Sequence, residues 1–449
     1  MEEQPAPLTG MRELPRRSSP HEWLISLQNA HDHHDDKERE GEQGDGSITA
    51  SQKTGCIQRV PTMLRDVKAN TKCYDPMMVS IGPIHYGKPH LQAGETLKKR
   101  LASHFLLGRE TREIESIYAE LEEMVSEARN RYERDSTDKF NDYAFAQLMF
   151  IDACFILQFV DSCLDGRLSE LKIQSRDEGF IRRDLLLMEN QLPLMVVDKL
   201  MDWKPFLRNY LINYFIVKYI EVPILGREQM VIIHRDLYAE LPLHLLHLVH
   251  IRLVGPEGGQ EVGYHTAMSN WYRYRSAKKL ESAGIHIRPS KTLHLTDVRF
   301  QSIRLSAKLG LPPIAINSQT KTILLNLAAY ETCYNVEDSW VTSYICFMDS
   351  LIDDVEDVTE LGSNGVFHNL LGTNQQVADL FNDMANSLVP NPKIYSHAKV
   401  CIERHFENKA QIWMREWLRS NFTFLAFAGA IVSIFLSCLQ TYYTIFPRK

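Results

Sequence analysis

Residues 422–446 read FTFLAFAGAIVSIFLSCLQTYYTIF and are followed by Pro447, Arg448 and Lys449. The run from Phe422 to Phe446 has no charged residue, and as an α-helix it would be about 37 Å long, enough to cross a hydrocarbon core of about 30 Å. Trp413 and Trp417 precede it, and Tyr442, Tyr443 and Phe446 close it, so aromatic rings fall near both headgroup layers. Gly429, Ser433 and Ser437 recur at every fourth position beside Ala426 and Ala430, a face small enough for close approach by a second copy. The expectation is a single-pass transmembrane helix in the lipid bilayer, with a homodimer contact through the small face. Everything before it is a body on a tether.

Hydrophobic residues at 44% and charged residues at 24% suit a globular body with a large core. Residues 1–55 hold eleven acids against six bases, so most of the net charge of −7 sits in that head and the body is nearly neutral. No basic field exists to hold nucleic acid, which excludes that class of partner. The eight cysteines form no C-x-x-C, so neither a zinc knuckle nor a redox pair is indicated, and scattered reduced thiols are expected. The first thirty residues contain four prolines and no apolar segment of the signal-peptide kind. The membrane signal is therefore translated last, which places the body in the cytosol, with the plasma membrane as the expected site.

Three regions follow along the chain. Residues 1–55 form an acidic head, with HDHHDDKEREGEQGDG near its centre, too polar to offset the entropy of ordering. Residues 56–418 form one helical domain, and residues 419–449 the anchor and a short tail. Within the domain, Ile114, Ile117, Leu121, Met124, Val125, Ala128 and Tyr132 lie on one face of a long helix running from Gly94 to Glu133. Helical periodicity continues at about 140–164, 181–200, 205–221, 235–252 and 266–283, the last stopping at Ala283-Gly284. Alternation over Leu293–Phe300 and Ile303–Leu309 predicts two short strands. Helices return at 320–334, 339–356, 375–388 and from Tyr395 onward. The fold class is mostly α, a single large helical domain with a small β element.

Several motifs invite chemistry. Gly82–Lys88 spells G-x-x-x-x-G-K, but Pro89 replaces the hydroxyl residue a phosphate loop needs, and Pro83 removes a donor. Asp353, Asp354 and Asp357 spell D-D-x-x-D, the arrangement that holds a divalent metal in diphosphate-processing enzymes. A second carboxylate set is lacking, so an acidic helix end is the better reading. His244, His247 and His250 share one helical face without a local carboxylate or cysteine to complete a metal site. No hydrolase, zinc-protease or dinucleotide signature occurs. In RRDLLLMENQLP at 182–193, Glu189, Asn190 and Gln191 sit between apolar runs and Pro193 interrupts the helix. The trio, with Asp184 nearby, is expected to hold a helix junction by bonding free backbone groups, with Arg182 or Arg183 satisfying Glu189.

Taken together, these stretches resemble the plant family known as domain of unknown function 247. The resemblance covers Ile57 to Phe446 and rests on IQRVP at 57–61, YDPMMVSIGPIHYG at 74–87, DACFIL at 152–157, RRDLLLMENQLP at 182–193 and SAKKLESAGI at 276–285. LLNLAAYE at 324–331 and TSYICFMDSLIDDVEDVTELGSNGV at 342–366 complete it. The chain departs from the family pattern at Tyr86, where a second histidine is usual, and at Lys278, where threonine is. The resemblance implies a largely helical, membrane-anchored protein with no established catalysis or cofactor. Some grass relatives are associated with self-incompatibility loci as candidate pollen-side determinants, and others with development or stress. The function expected is recognition of a protein partner not named by the sequence, self-incompatibility being one such role. The alternative is a membrane-tethered enzyme using Asp353, Asp354 and Asp357 with a divalent metal, or His85 in a cleft.

Overall fold

The computed structural model describes residues 23–24, 27, 56–207, 241–256, 275–303, 306–334, 339–407 and 421–445. Most of the acidic head, its histidine cluster, residues 208–221 of the helix expected at 205–221, and Trp413 and Trp417 lie outside these residues.

The body is assembled around Asp142–Leu164 (α4). Asn141 caps its start by accepting a hydrogen bond from the Ala144 N–H, and the chain leaves its end through Gly166 at φ +69°. This helix is apolar on every side, as a helix buried all round must be. By length and composition it could cross a membrane, yet 78% of its most apolar stretch is buried inside the body, which makes it the core helix.

Around it lie Gln92–Leu106 (α1), Thr111–Glu123 (α2), Val125–Asn130 (α3), Ser175–Asp184 (α5), Leu194–Leu200 (α6) and Leu245–Val254 (α7). The expected helix from Gly94 to Glu133 is thus three helices. Gly108, at φ +77°, turns the chain after α1, and a further break falls at Met124. The pattern at 181–200 likewise divides into α5 and α6 around the turn that Pro193 closes.

The second half contains Ala277–Ser282 (α8), Ile285–Pro289 (β1), Arg299–Ile303 (β2), Ser306–Leu311 (β3) and Ile314–Ile316 (β4). Thr320–Cys333 (α9), Trp340–Leu351 (α10), Val355–Ser363 (α11), Phe367–Asn369 (β5), Asn374–Ala385 (α12) and Ser396–Glu407 (α13) follow. β3 is the central strand of a three-stranded sheet, parallel to β1 and antiparallel to β2, while β4 and β5 pair in parallel. The strand predicted at Leu293–Phe300 forms only at its end, within β2, the one predicted at Ile303–Leu309 corresponds to β3, and β1, β4 and β5 are additional. The inner face of the three-stranded sheet, with Ile285, Ile287, Ala307, Leu309 and Leu311 all buried, continues the core. The helix predicted at 339–356 ends at Leu351, because Asp354 starts a new one.

Trp23, Leu24 and Leu27 overturn one expectation for the head. Leu24 and Leu27 are buried, and the Trp23 ring meets Tyr118 and Phe150 edge-on at 5.2 and 6.1 Å. Part of the head therefore belongs to the body's core. All eight cysteines are free thiols.

Phe422–Ile445 (α14) forms as one helix. Phe427, Ile431, Val432, Ile434, Phe435 and Leu436 on it are all more than half exposed.

Candidate functional site

The densest chemistry lies where the 74–87 segment meets the 182–193 turn. Residues 76–82 belong to no strand or helix, so their N–H groups need side-chain acceptors. The Asp184 carboxylate, fully buried at the end of α5, accepts from the N–H of Met77, Met78 and Val79 at 3.0, 2.7 and 3.1 Å. Asn190 Oδ1 accepts from Ile81 N–H at 2.7 Å, and its Nδ2 donates to the carbonyls of Val79 and Asp184. Gln191 Nε2 donates to the Leu185 and Leu187 carbonyls, while its Oε1 accepts from the Leu246 N–H at the start of α7. Asn326 on α9 accepts from Met188 N–H and donates to the Cys73 carbonyl, joining the two segments from a third direction.

The ionic pairing differs from the sequence expectation. Glu189 is met by Arg65 at 2.8 Å, by His85 Nε2 at 3.1 Å and by the Val60 N–H at 2.8 Å. Arg182 instead pairs with Glu178 one turn back on α5, and Arg183 binds Asp184 and the carbonyls of Asp75 and Lys72. Both arginines lie on the helix that Glu189 has already left, and so pair along and across that helix end. Burial opposes the Glu189 charge, but His85, Arg65 and the Val60 N–H outweigh it and bring its carboxyl down to about 2. Burial pushes the His85 imidazole below its ordinary value.

A second pair sits deeper. Lys98 on α1 and Asp152 on α4 meet at 2.7 Å with neither side chain exposed, and Glu95 and the Ser80 carbonyl complete the ammonium's contacts. Burial opposes the Lys98 charge, yet Asp152 and Glu95 outweigh it and raise its pKa. Asp152 also accepts the Gly82 N–H at 2.7 Å. The G-x-x-x-x-G-K stretch thus begins with its first N–H already aimed at a carboxylate, the opposite of a phosphate cradle. Two glycines permit this approach. A Cβ on Gly82, at φ +70°, would lie 2.6 Å from the Gln191 carbonyl oxygen, and one on Gly94 would lie 2.1 Å from that of Met78.

The other motifs are separate. Asp354 is the N-cap of α11, accepting from the Glu356 and Asp357 N–H groups, and Asp357 answers by accepting from Asp353 and Asp354. The other oxygen of Asp357 accepts from the Lys278 N–H at 2.8 Å, tying α8 to α11. Asp353 pairs with Lys279 and Glu356 with Lys278. The D-D-x-x-D carboxylates therefore do not act together, because capping turns Asp354 and Asp357 toward backbone N–H groups while Asp353 pairs with Lys279. Asp357→Ala is expected to cost about 1–2 kcal/mol, read as a lower urea midpoint with unchanged slope. His244 caps α7, His247 accepts from Leu243 N–H, and His250 meets Glu331 at 2.9 Å, so each imidazole has its own partner. Among the described residues, no group of three or more histidines, cysteines or carboxylates is arranged to hold a metal ion.

On α14, Gly429, Ser433 and Ser437 are exposed and lie on one face. Phe422 begins the helix, and Phe446 lies outside the described residues. Sequence reasoning missed Lys98, Asp152, Arg65 and Asn326. Asp152 had a signal: an acid inside the apolar run FIDACFIL has to find a partner.

A helical body wrapped around one apolar helix, with a loop pinned by side chains of a distant turn, defines an architectural class rather than a reaction. Residues 57–439 match the DUF247 family, described as plant proteins of unknown function, and the chain belongs to that family. It is 28% identical over 366 residues to a UPF0481 protein of Arabidopsis thaliana, covering 76% of this chain and 74% of the relative. A second Arabidopsis thaliana protein of the UPF0481 name is 27% identical over 177 residues, 38% of this chain and 33% of that protein. No solved structure matches the chain.

Proposed function

We propose that this is a single-pass membrane protein, anchored through α14, whose helical body lies in the cytosol and recognises a protein partner. The observation that carries the reading is the apolar surface of α14. Elsewhere among the described residues exposed large apolar side chains, such as Met63, Leu107 and Val389, are scattered along the chain, whereas Phe427, Ile431, Val432, Ile434, Phe435 and Leu436 stand exposed together on one helix. Water tolerates such a patch poorly, and a hydrocarbon layer accommodates it. Ser437 and Thr441 donate back to carbonyls one turn earlier, at 2.9 and 2.8 Å, which leaves their hydroxyls satisfied within the helix. The Gly429, Ser433 and Ser437 face then offers a second copy a close approach.

Within the body, the carboxylates and amides of the 182–193 turn are occupied in holding the fold. Recognition accordingly falls to the surface of the body, with cell–cell recognition, self-incompatibility included, as its setting at the plasma membrane. The test is protease protection on intact membranes of a chain tagged at Met1 and at Lys449. Protease on the cytosolic side should remove the Met1 tag, and alkaline carbonate should leave the chain in the membrane pellet. Release by carbonate would end the anchoring reading, and digestion of the Met1 tag only from outside would end the cytosolic one.

A further inference from the structure

The outer face of the three-stranded sheet carries a groove of about 320 Å³ that the body's architecture does not require. Its position follows from the register. Side chains on β3 alternate, so with Ala307, Leu309 and Leu311 in the core, Lys308 and Gly310 face outward. On β2, Arg299 lies opposite Gly310 and Gln301 opposite Lys308. Arg288 of β1 is level with Gly310 on the other side. A glycine in the middle of the central strand therefore forms a floor between cationic neighbours, a position where glycine commonly marks close approach by a ligand.

The walls have the chemistry of an anion site. Lys291 and Lys308 line the groove, are exposed, and have no ion-pair partner among the described residues. Arg299 is held in place by its Nε, which donates to Asp297 Oδ1 at 2.7 Å. Asp297 is itself fixed by the Thr292 hydroxyl at 2.8 Å. This contact engages only the Nε edge of a side chain that is 72% exposed, so the terminal amino groups are left to meet phosphate oxygens. Asp297 is the one carboxylate lining the groove, against three cations.

We propose that this groove binds a phosphorylated sugar or polyol carrying at least two phosphate groups. Lys291 meets one phosphate, Arg299 and Lys308 another, and Gly310 admits the ring between them. The volume lies at the lower end of the range for small-molecule pockets, enough for one such ring. The same chemistry occurs free in solution and on a lipid headgroup.

The test uses the full chain in phosphatidylcholine nanodiscs. Binding of myo-inositol 1,4,5-trisphosphate is followed by calorimetry, and flotation with vesicles containing phosphatidylinositol 4,5-bisphosphate supplies the second arm. Saturable binding in either arm is expected, and the tighter arm names the source. Gly310→Val fills the floor without changing charge, and its Cβ meets no atom nearer than 3.7 Å. It should weaken binding at least about tenfold, as should Lys308→Glu, with melting temperatures unchanged. Absence of saturable binding in both arms overturns the proposal. So does binding that falls with Lys308→Glu but not with folded Gly310→Val, since that would report surface charge rather than a site.

Discussion

Lys98→Met is expected to lower the free energy of unfolding by about 3–5 kcal/mol, the usual cost of removing one partner from a buried ion pair. Neither Lys98 nor Asp152 is exposed, and they meet at 2.7 Å. Without the ammonium, Asp152 keeps only the Gly82 N–H, Glu95 stands near it, and the Ser80 carbonyl loses its donor. Lys98→Met with Asp152→Leu should recover much of the loss, because an apolar pair of similar volume carries no desolvation penalty. Urea unfolding of the full chain in detergent, followed by circular dichroism, measures both. A loss below about 1 kcal/mol for the single variant would show that the pair is hydrated rather than dry.

Glu189→Gln should cost about 3 kcal/mol at neutral pH, the value of holding a carboxyl near 2 instead of its ordinary 4.5. The sign follows from that depression. The unfolded chain binds a proton at Glu189 at higher pH than the folded one, so the contribution is fully present above about 4.5 and disappears as pH falls toward about 2. The native chain should therefore lose stability across that window, and the variant should show a shallower acid limb. Equal slopes in the two proteins would mean that Arg65 and His85 do not hold the carboxylate. His85→Gln tests the same contact from the other side, with a smaller expected loss because Arg65 remains.

Much of the architecture was legible. The helices expected at about 140–164, 320–334 and 375–388 form close to those bounds because their periodicity or apolar content is unbroken, and Asn141 and Thr373 cap the first and the last. Long patterns overran at Gly108, Asp354 and Pro193, where apolar spacing continues in register through a turn. A period of three and four residues reports which side chains face the core, not whether the backbone between them stays helical. β1 was missed although Ile285, His286, Ile287 and Arg288 alternate directly after the glycine that ends α8. β5 has three residues, too few to display a period. At the 182–193 turn, sequence indicated that the polar residues must be paired. The sequence points to Arg182 or Arg183 as the partner of Glu189, whereas Arg65 and His85 arrive from more than a hundred residues away. Contacts of that kind leave no spacing to read.

That separation also bears on how the chain reaches its fold. The acceptors for the N–H groups of Met77, Met78, Val79 and Ile81 lie 105 to 109 residues downstream. Asn326, which joins Cys73 to Met188, lies 253 residues beyond Cys73. During synthesis the 76–82 segment emerges long before Asp184 and Asn190, and at about 5–20 residues per second it waits several seconds with its amides in water. Closing such long loops is slow, so the amino-terminal half should remain open to chaperones and proteases until the 182–193 turn has left the ribosome. The docking of that turn would then serve as a checkpoint on the nascent chain, passed well before α14 is made.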